Sequence, residues 1–309
     1  MEILMRAVAY VTLDVFTAMR FAGNPLAVIP DARGLSGEAM QKIAAEFNYS
    51  ETTFVLAPED PRNTARVRIF TPTTEVPFAG HPNVGTAFVL GRQKELFGRA
   101  VGDVIRFEER AGLVEVQLLR EDGEITGAAI KAPQPLTTGP GVAAELVARC
   151  ASLDVTAIRL TTHAPLFASV GLPFVFAEVD GLETLAAARP NLAIFAQALV
   201  SNHPQQPDFS LFLYTRKAND PWRIRARMFA PLDNVMEDPA TGSASAALSA
   251  YLVSLMPEAN VDAKITIEQG VEMGRSSLIE VQVSKSAGIV GAVTISGRCV
   301  PMMRGTIEL

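Results

Sequence analysis

The feature that most constrains this chain is a degenerate repeat whose clearest copies are FAGHPNVGTAFVL, Phe78 to Leu90, and EDPATGSASAALSAYL, Glu237 to Leu252. Aligned, His81, Pro82, Gly85, Thr86 and Ala87 answer to Asp238, Pro239, Gly242, Ser243 and Ala244, 157 residues further on in a chain of 309. Upstream, RVRIFTP from Arg66 matches RARMFAP from Arg225, and AGNPLAV from Ala22 matches VGLPFVF from Val170. Downstream, IRFEE and LVEVQL, from Ile105 and Leu113, match ITIEQ and LIEVQV, from Ile265 and Leu278. Self-similarity over half a chain is the mark of two copies of one unit. The expected architecture is therefore α+β, with two pseudo-symmetric domains and the chemistry between them. The boundary is expected near Pro133, giving domains 1–132 and 133–295, with 296–309 pairing back on the first.

Alternation and caps outline the elements. Val8 to Thr17 and Pro25 to Asp31 read as strands around the turn-prone FAGN. Ser36 is a good N-cap for a helix ending near Phe47, with Met40, Ile43, Ala44 and Phe47 as its apolar stripe. In both repeat blocks the proline suits a first helical position, so each reads as a loop entering a helix. The second of these helices, from about Gly242 to Leu255, is apolar on every face, which predicts a central helix wrapped by strands.

Composition narrows the function. A net charge of −6 without a basic cluster argues against nucleic acid. The N-terminus, with Glu2, Arg6 and Asp14, reads as a strand and not a signal peptide, and serines dilute the apolar run Ala240 to Pro257, so no membrane partner is expected. Cys150 and Cys299 read as core thiols of a reducing compartment, which points to the cytoplasm. A hydrophobic fraction of 49% against 19% charged leads to the expectation of a homodimer.

Helix N-termini carry partial positive charge and free N–H groups, so two of them make a site for a small carboxylate. His81 and Asp238 stand at the two mouths, and their difference at matched positions implies separate roles. Glu46 is the third candidate. It lies at the edge of the apolar stripe in a last helical turn, where partial desolvation suits a general base. Glu51 and Glu75 are ranked behind it, and His163 and His203 are read as structural. No GxSxG elbow, HExxH spacing or GxGxxG turn supports a hydrolase, a metal enzyme or a dinucleotide site. The readings left open are a proton-moving isomerase, a noncatalytic protein that keeps the pocket, and a racemase acting through Cys150 and Cys299.

The segments DVFT with GNPLAV, MQKIAAEFNYSETTFV, FTPTTEVPFAGHP with GTA, EDPATGSA and QGVEMGR, in this order from Asp14 to Arg275, resemble the phenazine-biosynthesis PhzF-like family. The resemblance implies a diaminopimelate-epimerase-like fold, with each domain a strand barrel around a central helix. It also implies isomerisation of a substrate such as trans-2,3-dihydro-3-hydroxyanthranilate without metal or organic cofactor. On that resemblance Glu46 is the acid/base, His81 and Asp238 hold substrate and support proton movement, and Ser243 with the amides of Gly80 and Gly242 binds the substrate's carboxylate and polar groups. Two-thiol racemisation is disfavoured, because His81 and Asp238 hold the places of the thiols. Asn83 stands where many relatives carry Thr after GHP, a departure that touches substrate fit more than mechanism.

Overall fold

A helix with no solvent face decides the architecture. In a computed structural model that describes residues 7–201, 208–217 and 219–309, every residue from His81 to Leu90 of one helix is buried. Such a helix needs walls on all sides, and strands supply them. Contacts divide the chain into two units, Met1–Lys131 with Ser296–Leu309, and Ala132–Ile295. The strand reading of Met1 to Arg6 and the reading of His203 lie outside the described residues.

The first unit runs β1 (Ala7–Val15), β2 (Asn24–Ile29), α1 (Gly37–Phe47), β3 (Glu51–Leu56), β4 (Ala65–Phe70), β5 (Glu75–Val76), α2 (Gly80–Gly91), β6 (Glu95–Leu96), β7 (Arg99–Ala100), β8 (Val104–Glu109), β9 (Gly112–Glu121) and β10 (Glu124–Lys131). The second runs β11 (Thr137–Gly141), α3 (Ala144–Cys150), β12 (Ile158–Arg159), β13 (Leu166–Ser169), β14 (Pro173–Val179), α4 (Leu182–Ala187), α5 (Leu192–Ser201), β15 (Leu211–Lys217), β16 (Asp220–Ala230), β17 (Val235–Asp238), α6 (Gly242–Ser254), β18 (Val261–Gln269) and β19 (Ser277–Ser286). The last strand, β20 (Ile289–Glu308), begins in the second unit and ends in the first.

In the first unit the pairings β1–β2–β3–β4–β8–β9–β10–β20–β1 return to their start, which closes a barrel of eight strands. Closure leaves no edge among them. β20 runs antiparallel to β1 from Ala7↔Glu308 to Val15↔Cys299, with an irregularity after Thr12. Two glycines permit the last seam, since a Cβ on Gly127 would lie 2.0 Å from the Gly297 carbonyl oxygen and one on Gly297 would lie 2.3 Å from the Phe16 ring. α2 fills this barrel. A Cβ on Gly85 would meet Leu26 at 2.5 Å and Val15 at 2.8 Å, so the helix approaches the wall where it has no side chain. Burial of its Val84, Phe88 and Leu90 contributes about 1.5–3 kcal/mol each.

α1 lies against a different core. Met40, Ile43 and Ala44 pack on Val8, Ile29, Phe54 and Phe70. Ser36 caps it by accepting from the Ala39 amide at 3.1 Å, and Asn48, in the left-handed conformation, ends it.

In the second unit β13–β14–β15–β16–β18–β19 form a continuous series of pairings, with β14–β15 and β16–β18 parallel. α6 is buried along almost its whole length, from Gly242 to Val253 except Ser243. Arg66 stands opposite Glu108 across β4 and β8, and Arg225 opposite Glu268 across β16 and β18, in the same parallel sense. The two central helices nevertheless begin at different points of the aligned blocks. Pro82 is the third residue of α2, whereas Pro239 precedes α6 by three residues, so neither proline takes the first helical position. Both places suit a residue without an N–H, one in the unpaired first turn and one in the approach loop.

Candidate active site

His81 is the second residue of α2 and is buried. Its imidazole is hydrogen-bonded to the Pro25 carbonyl, and burial pushes its pKa down to about 3, with the bond to Pro25 opposing that shift. The ring is therefore neutral through the physiological range. Nε2 has no hydrogen-bond partner among the described residues, which assigns the ring proton to Nδ1 and its bond to Pro25. The bare Nε2 lies 3.5 Å from Oε2 of Glu51. Glu51 opens β3 and pairs with Leu26 of the parallel β2, the residue after Pro25. One strand pair thus sets both the imidazole's anchor and the carboxyl that faces it. The first-turn amides of α2, including that of Gly80, have no side-chain cap from Ala79.

This geometry changes the ranking of the acids. Glu46 lies in the last turn of α1 with its side chain exposed, so the partial desolvation expected of it is not found. The carboxyl brought to His81 is that of Glu51. A signal for it was present in the sequence, because Glu51 opens the strand that follows α1. Its contact depends on the parallel register of two strands, which alternation does not reveal. Glu75 is tied to Arg68 by two bonds of 2.8 Å and serves as a structural ion-pair partner.

In the second unit Asp238 ends β17, buried, and its Oδ2 accepts from the Thr241 hydroxyl at 2.5 Å. Gln269 latches the same loop. Its Nε2 donates to the Asp238 carbonyl at 2.7 Å and to Thr241 Oγ1 at 2.9 Å, while its Oε1 accepts from the Thr241 amide at 3.0 Å. Ser277 Oγ donates to the Pro239 carbonyl at 2.7 Å. Gly270, at φ +74°, brings its backbone so near that a Cβ would lie 2.6 Å from the Pro239 oxygen. Beside Asp238, the side chain of Glu237 holds Arg227 through two bonds of 2.8 Å. This bracing presents Gly242 and the half-buried Ser243 at the start of α6, where no side chain caps the amides.

Both cysteines are buried and free. Burial pushes the Cys150 thiol up to about 12 and that of Cys299 higher still, so neither offers a thiolate near neutrality. That removes the chemical basis for a two-thiol racemase. His163 is a satisfied core histidine, with Nδ1 on the Ala164 carbonyl and Nε2 on the Tyr214 hydroxyl, each at 2.8 Å. Among the described residues no cluster of three or more His, Cys, Asp or Glu could hold a metal ion, and no helix is long and apolar enough to cross a membrane.

A closed barrel around a buried helix is the epimerase-like α+β fold, and the chain's relatives, which include named isomerases, make it an isomerase. The fold is shared with the hydroxyproline epimerase of Agrobacterium vitis, at a TM-score of 0.61 and 12% identity over 98% of this chain and 92% of that one. The phenazine biosynthesis-like (PhzC-PhzF) profile matches residues 13–305, and the chain belongs to this PhzF family. It is 36% identical to the trans-2,3-dihydro-3-hydroxyanthranilate isomerase of Pseudomonas chlororaphis, over 97% of this chain and 99% of that protein. The PhzF-family phenazine biosynthesis protein of Bacillus anthracis superposes with a TM-score of 0.87 at 25% identity, covering 99% of this chain and all of that one.

Proposed function

We propose that this isomerase moves a proton on a small unsaturated carboxylate, of the type of trans-2,3-dihydro-3-hydroxyanthranilate, with Glu51 as the acid/base. The observation that carries the reading is the approach of Glu51 Oε2 to the bare Nε2 of a neutral His81. Glu51 takes the proton as the substrate C–H bond breaks, and the electron pair enters the substrate's π-system. The new O–H donates to His81 Nε2, an acceptor already in place, so the protonated base is stabilised at the moment it forms. Glu51 then returns the proton at another carbon, and the double bond has moved. The amides at the N-terminus of α2, beginning with Gly80, favour the negative charge that develops on the substrate. In the second unit, Ser243 and the amides that start with Gly242 are suited to a carboxylate, and Asp238 to a polar substituent. The chemistry needs only the chain's own carboxyl and imidazole.

Steady-state turnover of trans-2,3-dihydro-3-hydroxyanthranilate tests the reading. Glu51→Gln lowers kcat by about 10²–10⁴, the range for loss of a positioned acid/base, while Glu46→Gln retains turnover. Retained turnover in Glu51→Gln would contradict it. Ser243→Ala raises KM more than it lowers kcat, as loss of a binding contact does.

A further inference from the structure

On the other strand that reaches the mouth of α2 stands a second carboxyl. Glu109 ends β8 and pairs with Gly112 across a two-residue turn, and the Ala111 amide of that turn bonds to the Pro77 carbonyl ahead of α2. The Asn83 side chain, in the first turn of the helix, lies beside it. Asn83 Nδ2 donates to the Ala79 carbonyl at 3.0 Å. Asn83 Oδ1 and both oxygens of Glu109 are buried without a hydrogen-bond partner among the described residues. Three buried acceptors beside the first turn of α2 therefore lack a donor at hydrogen-bond distance, and each such orphaned group destabilises the fold.

The neighbouring cations do not resolve it. Glu109 borders a groove of about 1020 Å³ whose other charged walls include Arg66, Arg68, Glu75, Arg106, Glu108 and Arg110. Arg66 pairs with Glu59, Arg68 and Arg110 with Glu75, and Arg106 with Glu115. Glu108 accepts from the amides of Glu59 and Asp60 and from Asn63 Nδ2. From α2 the one ionisable group is His81, which is neutral. Arg62 pairs with Asp60, and among the described residues no guanidinium is paired with Glu109.

The second unit shows what the place requires. Gln269 ends β18 as Glu109 ends β8, in the aligned segments ITIEQ and IRFEE, and its neutral amide both donates and accepts at the mouth of α6. We propose that Glu109 is a positioning residue, held as a neutral carboxylic acid whose O–H donates to Asn83 Oδ1 and so fixes the first turn of α2 and the His81 it carries. Burial agrees, pushing the carboxyl up to about 8 against the opposing pull of the Asn83 side chain, which lowers it. Its effect on catalysis rests on the reading of His81 given above, whereas the protonation state does not.

Equilibrium unfolding of the full chain from about pH 5 to about pH 9 tests the proton without substrate, with wild type, Glu109→Gln and Glu109→Leu. An acid that keeps its proton in the fold and loses it on unfolding makes stability fall as pH rises toward its folded pKa. Relative to Glu109→Gln, the wild-type unfolding constant therefore rises about tenfold per pH unit up to near pH 8. Glu109→Gln, which supplies an N–H in place of the O–H, folds, and Glu109→Leu, which leaves Asn83 Oδ1 without a donor, unfolds more readily than Glu109→Gln throughout. Superimposable profiles of wild type and Glu109→Gln, or a Glu109→Gln chain that fails to fold, overturn the proposal. In turnover, Glu109→Leu lowers kcat with little change in KM, and Glu109→Gln recovers much of the loss while flattening the alkaline limb. Loss of the unfolding difference overturns the Glu109 proposal and leaves Glu51 catalysis standing; absent turnover with that difference intact does the reverse.

Discussion

His81 shows how an environment sets the role of a residue. Removed from water and anchored on the Pro25 carbonyl, it is neutral and points a lone pair at Glu51. Its protonation is coupled to folding with a definite sign. The unfolded chain binds a proton on this histidine near the ordinary value of about 6.5, and the folded chain only near 3. Between those values the unfolded state holds more protons, so His81 makes stability fall as pH drops from about 6.5 toward 3. Denaturant titrations at several acidic pH values should show this slope reduced in His81→Asn; an unchanged slope would place the acid sensitivity elsewhere. The positions of His81 in the first turn of α2 and of Asp238 just ahead of α6 were legible from the two similar sequence blocks. The contact of Glu51 with His81 was not. Glu46 was ranked first for its place on the edge of a helix, and that edge is exposed. Glu51 reaches His81 through the parallel pairing of β2 and β3, a tertiary fact without a periodic signature.

At the level of elements, the central helices were legible and their entrances were not. An all-apolar α6 needs enclosure, and the structure encloses it. The α1 cap at Ser36 likewise forms as its sequence implies, because the bond is local. The entrances depend instead on long-range partners. The loop before α6 is held by Gln269 and Ser277 from β18 and β19, which no local pattern connects to Asp238. Gln269→Ala leaves the Thr241 amide and the Asp238 carbonyl without these bonds, at about 1–3 kcal/mol for each buried group orphaned. Calorimetry should show a lower Tm, and an unchanged Tm would mean that water replaces the amide without loss. In the Arg227–Glu237 pair beside Asp238 the guanidinium is buried and the carboxylate partly so, and removing the carboxylate alone would leave a buried charge unpaired.

Across the whole molecule, fold and chemistry meet in how the barrel of the first unit closes and what it holds. Gly127 and Gly297 allow β10 and β20 to approach, and Gly85 allows α2 to lie against Leu26 and Val15. Gly85→Ala inserts a methyl among side chains that can shift, and costs about 1–3 kcal/mol in denaturant unfolding. Gly127→Ala meets a backbone carbonyl instead and costs more than Gly85→Ala in the same experiment; equal costs would mean that the seam is not tight. The chain has the epimerase-like fold, and its two cysteines are buried with their pKa values raised. The central claim is that Glu51 carries the migrating proton. It is tested most directly by proton NMR of trans-2,3-dihydro-3-hydroxyanthranilate in heavy water with wild type, Glu51→Gln and Glu46→Gln. The account predicts isomerised product with wild type and Glu46→Gln, deuterated at the carbon that receives the proton to the extent that Glu51 exchanges with solvent, and neither conversion nor exchange with folded Glu51→Gln. Conversion by Glu51→Gln at the wild-type rate, or its loss in Glu46→Gln alone, would contradict it.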